Sequence, residues 1–95
     1  MPVIVGLLSI ELYIPGARGL KDKRMVLRGV KDRLKKFNVA VAEVEHQDLW
    51  QRAGLGVVAI SNSDKAVDQA LSAVVEEIER TEPGLITRTH VEMLT

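Results

Sequence analysis

Val3-Ile4-Val5-Gly6-Leu7-Leu8-Ser9-Ile10-Glu11-Leu12-Tyr13-Ile14 is the stretch on which the fold turns. Ile4, Leu8, Ile10, Leu12 and Ile14 are apolar throughout, whereas Val3, Val5, Leu7, Ser9, Glu11 and Tyr13 turn polar after Leu7. A period of two is the signature of a strand, and it predicts that the even-numbered set faces the core. The other sheet face is then greasy at one end only. Pro15 and Gly16 stop the strand.

The period then changes to that of a helix, predicted from about Leu20 to Phe37, with Val26, Leu27, Val30, Leu34 and Phe37 as its buried arc. Gly19 serves as N-cap, Asp22 is placed to accept early backbone N–H groups, and Asn38 fits the C-cap. Val39 to Glu45 reads as a second strand whose buried face is ambiguous, because Val39 and Val41 alternate one way and Val44 the other. His46 to Gly54 is expected as a connection and Leu55 to Ser61 as a third strand. Asn62 or Ser63 caps a second helix with a core arc of Val67, Ala70, Leu71, Val74 and Ile78. Pro83 and Gly84 end it, and Leu85 to Leu94 is the last strand. The order β-α-β-β-α-β, with two right-handed crossovers, predicts an α+β ferredoxin-like sandwich: a four-stranded antiparallel sheet with both helices on one face. Residues 1–95 are expected to form one domain, since the chain is too short for two cores.

At 46% apolar and 27% charged residues the composition is that of an ordinary globular domain. There is no cysteine, hence no disulfide framework and no thiolate metal site, which suits a reducing cytosol. The apolar opening stretch is short, carries Ser9 and Glu11 and lacks a basic leader, so neither a signal peptide nor a membrane span is read there. A cytoplasmic protein with no membrane partner is the expectation.

Thirteen basic and thirteen acidic side chains cancel overall, but not locally. Between Arg18 and Lys36 nine Lys or Arg residues face two acids, Asp22 and Asp32. Arg24, Arg28, Lys31 and Lys35 recur at helical spacing and form one stripe. From Asp64 to Glu82 the balance reverses, with six acids against Lys65 and Arg80. Two readings of the stripe follow: a docking face for RNA or another polyanion, or a solvated face partly neutralised by the acidic second helix. Asp68, Glu76 and Glu79 lie on a flank away from Glu77, so only part of the positive charge is expected to be matched.

Other constellations are weaker. An RRM stacks bases on aromatics of its first and third strands, but here the third has none and the first offers only Tyr13, which excludes that mode. Gly16-Ala17-Arg18-Gly19 spells the G-x-x-G of KH clamps, yet it joins a strand to a helix. It reads first as a turn plus cap, and second as an anion site flanked by Arg18 and Lys21. The connection holding Asp48, Trp50 and Arg52 is either a partner-recognition loop anchored by Trp50 or a Trp folded back over the core edge, the second being preferred. His90, Glu92, His46, Glu43 and Glu45 lack metal-ligand spacing, and neither metal nor cofactor is expected. No Ser-His-Asp, Walker or GxSxG pattern occurs, and the arginine and asparagine of acylphosphatases have no counterpart in matching context.

Gly19-Leu20-Lys21-Asp22-Lys23-Arg24, Phe37-Asn38-Val39, Val41-Ala42-Glu43-Val44 and Asp48-Leu49-Trp50-Gln51-Arg52 together resemble the YlxP-like family of small bacterial proteins of unknown function. The resemblance covers essentially the whole chain. It implies a ferredoxin-like fold and, because such genes tend to lie beside those for translation initiation and ribosome maturation, a role near RNA or the ribosome. It brings no catalytic residues. One departure is Gly19, where the family often has Ser, at a cost of only a few tenths of a kcal/mol for a cap. The expectation is therefore a non-enzymatic accessory protein docking on structured RNA or the ribosome. Arg24, Arg28, Lys31 and Lys35 would meet phosphates, assisted by Arg18 and Lys21. The alternative is a protein-interaction module that forms a homodimer through the open sheet face, using Val3, Val5 and Leu7 with residues of the last strand.

Overall fold

The computed structural model describes residues 2–95. Its elements are β1 (Ile4–Tyr13), α1 (Leu20–Leu34), β2 (Val39–Glu45), β3 (Arg52–Ser61), α2 (Asp64–Thr81) and β4 (Ile86–Met93). The strands form one antiparallel sheet in the order β2-β3-β1-β4, which leaves β2 and β4 as its edges. This is the ferredoxin-like α+β sandwich.

Both long central strands bury alternate residues. Leu8, Ile10 and Leu12 of β1 and Ala53, Leu55, Val57 and Ala59 of β3 are all but inaccessible on the helix side. They meet Leu27, Val30 and Leu34 from α1 and Val67, Leu71, Val74 and Ile78 from α2. The helices sit over different parts of the sheet and share only a short seam, bridged by Lys36 and Glu77 at 2.9 Å.

Two expectations are corrected and one ambiguity is resolved. The β2–β3 connection is six residues rather than nine, because Arg52, Ala53 and Gly54 belong to β3, opposite Tyr13, Leu12 and Glu11. α1 ends at Leu34, and its last turn tightens through the Phe37 N–H donating to the Leu34 carbonyl. The ambiguity of β2 is resolved by a register shift between Glu43 and Glu45, which makes Val44 the extra residue. Val39, Val41 and Glu43 face the helices, and beyond the shift the pattern inverts.

At Gly6 the side chains of α2 press directly on the sheet backbone. A Cβ there would lie 2.6 Å from Val67 Cγ1 and 3.1 Å from Leu71 Cδ1. Gly6→Ala is expected to destabilise the fold by about 1–3 kcal/mol, the usual cost of overpacking. Urea denaturation with an unchanged m-value checks it, and wild-type stability of the variant would refute this account of the seam.

Candidate nucleic-acid interface

The buried stripe of α1 is Lys23, Leu27, Val30 and Leu34. A lysine on that stripe is the least expected feature of the molecule, for Lys is almost never fully buried unless paired. Its ammonium donates to the carbonyls of His46 at 2.6 Å and Leu49 at 2.7 Å. It also lies 2.8 Å from Glu43 Oε2. That third contact is charge pairing rather than an aligned hydrogen bond, and no other donor reaches the buried oxygen. Lys23 thus ties the first turn of α1 to the end of β2 and to the turn that follows it. His46 takes a left-handed backbone conformation there, with φ of 62°.

With that face pinned inward, the next residues round the helix are forced outward. Arg24 and Arg28 are exposed and Lys31 half-buried, and none of the three makes an ion pair among the described residues. Lys35 pairs at 3.1 Å with Asp32 of its own helix, but both side chains are more than half exposed, so the pair is weak. Contrary to the neutralisation reading, Asp68, Glu76 and Glu79 do not reach the stripe. Among the described residues, the α2 carboxylate that pairs toward α1 is Glu77, which meets Lys36 just past the end of that helix and Arg80 of its own. Arg24, Leu27, Arg28, Lys31, Asp32 and Lys35 line a groove of about 360 Å³ whose far wall includes Glu43 of β2. Since Glu43 is balanced by Lys23, four cations in the groove face Asp32 alone.

At the mouth of α1, Asp22 reaches back to accept the Arg18 backbone N–H at 3.0 Å, while Gly19 provides no side-chain cap. A carboxylate already occupies the helix entrance, which favours the turn-plus-cap reading of the G-x-x-G stretch. Arg18 and Lys21 remain exposed at that end of the stripe.

The β2–β3 turn overturns the preferred reading of Trp50. Its side chain is 54% exposed, beside Leu49 and Tyr13 at 45% each, and it covers none of the core. Tyr13, Asp48, Leu49, Trp50, Gln51 and Arg52 border a shallow depression of about 400 Å³. Arg52 turns from this site toward the open sheet face, where its Nη2 lies 3.4 Å from Glu11 Oε2.

On that open face the residues considered for a metal are divided. Glu43 lies on the helix side, whereas Glu45 and His46 join Glu11, which sequence reasoning missed. Both Glu11 and Glu45 lie opposite Gly54, one from each neighbouring strand. A Cβ at Gly54 would come within 2.8 Å of Glu45 Cβ, so the close approach requires glycine. Glu11, Glu45 and His46 present donor atoms within 4.8 Å of one another, but Glu11 is already engaged by His46 at 3.1 Å and by Arg52. Burial pushes the Glu11 carboxyl up; its hydrogen bond with His46 and the nearby charges of His46 and Arg52 outweigh this and hold it below the ordinary value. Glu77 is held low by its hydrogen bonds from Arg80 and Lys36.

The sequence profile described as "Protein of unknown function (DUF503)" matches residues 5–91. The chain belongs to this family. It is 39% identical to the "Uncharacterized protein YlxP" of Bacillus subtilis (strain 168), over 90% of this chain and 97% of that protein. Among solved structures it is similar to the de novo designed protein Foldit4, with a TM-score of 0.61 and 12% identity over 98% of this chain and 97% of that one. It is also similar to a C-terminal segment of the alpha subunit of aIF2 from Pyrococcus abyssi, with a TM-score of 0.54 and 21% identity over 99% of this chain and 51% of that one. These likenesses establish the fold alone. A designed sequence on the same backbone underlines that function must be argued from side chains. No described helix is long and apolar enough to cross a membrane.

Three outcomes are expected. Lys23→Met leaves two carbonyls and Glu43 without their cation, and should cost roughly 2–4 kcal/mol of unfolding free energy; a loss below about 0.5 kcal/mol would refute the anchoring role. The single tryptophan should emit as a solvated indole and be quenched freely by acrylamide, whereas blue-shifted, quencher-resistant emission would return it to the core. Because the folded-state pKa values of Glu11 and Glu77 are depressed, their contribution to stability is complete above the unfolded carboxyl value near 4.3 and is lost as pH falls through the lower folded values. Glu11→Gln should therefore make the acid limb of a pH–stability curve shallower below about pH 4, and an unchanged limb would count against the pairing.

Proposed function

We propose that the protein is a non-enzymatic accessory factor that docks on structured RNA through the groove between α1 and β2. The supporting observation is that Arg24, Arg28 and Lys31 carry no ion pairs among the described residues, and that the stripe they share with Lys35 overlooks an open groove. From Arg24 to Lys35 the stripe runs roughly 16 Å, enough to follow successive backbone phosphates. Arg18 and Lys21 extend it past the start of α1. Contacts of this kind position a protein on RNA without reading its bases. The open sheet face is a poor platform for bases, since Glu11, Glu45 and Glu92 lie there and no Phe or Trp stands on its strands.

Binding to a structured RNA, measured by fluorescence anisotropy across a salt series, should weaken steeply as salt rises. Arg28→Glu with Lys31→Glu should lower affinity by about tenfold or more and reduce the magnitude of the salt slope by about 2. Affinity independent of salt, or unchanged in the double variant, would overturn the reading.

A second reading, pairing of two copies through the open sheet face, draws support from Val3 at 55% and Ile60 at 57% exposure, with Val5 and Leu7 beside them. The last strand contributes Arg88, His90 and Glu92 to that face, not apolar groups, so the apolar part is confined to one end.

A further inference from the structure

The two sheet edges are not equivalent. β2 is flanked by the basic groove, so a second copy added there would bring two positive stripes together. β4 pairs with β1 and touches little else. Seven of its eight residues are exposed, among them Val91 at 44% and Met93 at 45%, with Leu94 just beyond at 51%. From Arg88 to Met93 its pairing with β1 is regular, the one register shift lying before Arg88. A regular, uncovered edge strand with apolar side chains is a template for another strand.

The charges on this edge select the partner. Arg88, His90 and Glu92 share the open-face side, opposite Glu11, Ser9 and Leu7 of β1. Arg88 is not paired with Glu11, whose partners are His46 and Arg52, and Glu92 has no ion pair among the described residues. Four residues apart on one strand, the backbones of Arg88 and Glu92 are roughly 13 Å apart, and the two side chains do not pair with each other.

We propose that a second copy of this chain adds to β4 in antiparallel sense, about a two-fold axis normal to the sheet at His90, making one eight-stranded sheet. The register follows from the charges. Centred on His90, Arg88 stands opposite Glu92 of the partner subunit twice over, once on each side of the axis. On the helix side, Thr89 stands opposite Val91 of the partner subunit. Centring on Thr89 instead places Glu92 against Ile86, and centring on Val91 places Arg88 against Leu94, so both forfeit the two ion pairs. A centre between residues would set open-face side chains against helix-face ones and is forbidden by the pleat. Opposite charges directly across strands stabilise such a pair and like charges oppose it. The assembly is isologous and closed, so it ends at two copies. It is independent of the RNA reading and uses a different edge of the molecule.

Sedimentation equilibrium across a wide concentration range should show a monomer–dimer equilibrium. Arg88→Glu or Glu92→Arg alone places two like-charged pairs across the axis and should raise the dissociation constant by roughly tenfold or more. The double reversal, Arg88→Glu with Glu92→Arg, re-creates opposite pairs and should restore dimerisation, which separates lost pairing from lost folding. The chain has no cysteine, so His90→Cys supplies a single thiol at the axis and should yield a disulfide-linked dimer under mild oxidation. A monomer at every concentration would overturn the proposal, as would a dimer indifferent to the reversals. Cross-linking through Ile60→Cys on the open face but not through His90→Cys would overturn it in favour of face-to-face pairing.

Discussion

A buried ammonium group organises the site end of this molecule. Lys23 sits where α1 would otherwise carry a fourth aliphatic side chain in line with Leu27, Val30 and Leu34. Two of its contacts are to backbone carbonyls of the turn after β2, and the third is to the Glu43 side chain near the end of that strand. Burying a lysine costs several kcal/mol unless the charge is matched. Here the Glu43 carboxylate and two carbonyl dipoles do so at the junction of β2 and the following turn. The same contacts fix the rotation of α1 about its axis. Helical spacing then leaves Arg24, Arg28, Lys31 and Lys35 no direction but the β2 edge and solvent.

Charge in this fold is segregated rather than neutralised. A neutral chain could have interleaved its two helices as ion-pair ladders, yet the seam between them holds essentially one link, Lys36 to Glu77. The reason is geometric. α1 lies toward β2 while α2 lies across β1 and β3, so the acidic flank of α2 and the basic stripe of α1 point apart. The open side of the sheet is divided in turn between an apolar end, Val5 and Leu7, and a charged end built around Glu11, Arg52 and His46. Each surface therefore has its own electrostatic character.

Much of the architecture was legible in the residues. The alternation from Ile4 to Ile14, the helical arcs of α1 and α2, the Ser63 cap whose hydroxyl accepts the Ala66 N–H at 3.3 Å, and the Pro83-Gly84 stop all act within a few residues of chain. Local rules suffice for them. The failures are of another kind. Arg52 to Gly54 look like loop because Ala and Gly are poor strand formers, yet pairing with β1 overrides that preference. Trp50 looks like core because it is large and apolar, yet the core is already filled by aliphatic side chains beneath the turn.

What the amino-acid sequence determined by itself is the element order, the two helix faces and the concentration of positive charge on α1, because hydrophobic period and charge spacing are properties of neighbouring residues. What only the tertiary structure decided is which charges remain free. Lys23 and Arg24 are adjacent and chemically alike, and one is buried against Glu43 while the other faces the groove. Glu11 and Glu45 meet across Gly54 although more than thirty residues of chain separate them. Pairing between such groups depends on register and helix rotation, and these are set when the whole core packs.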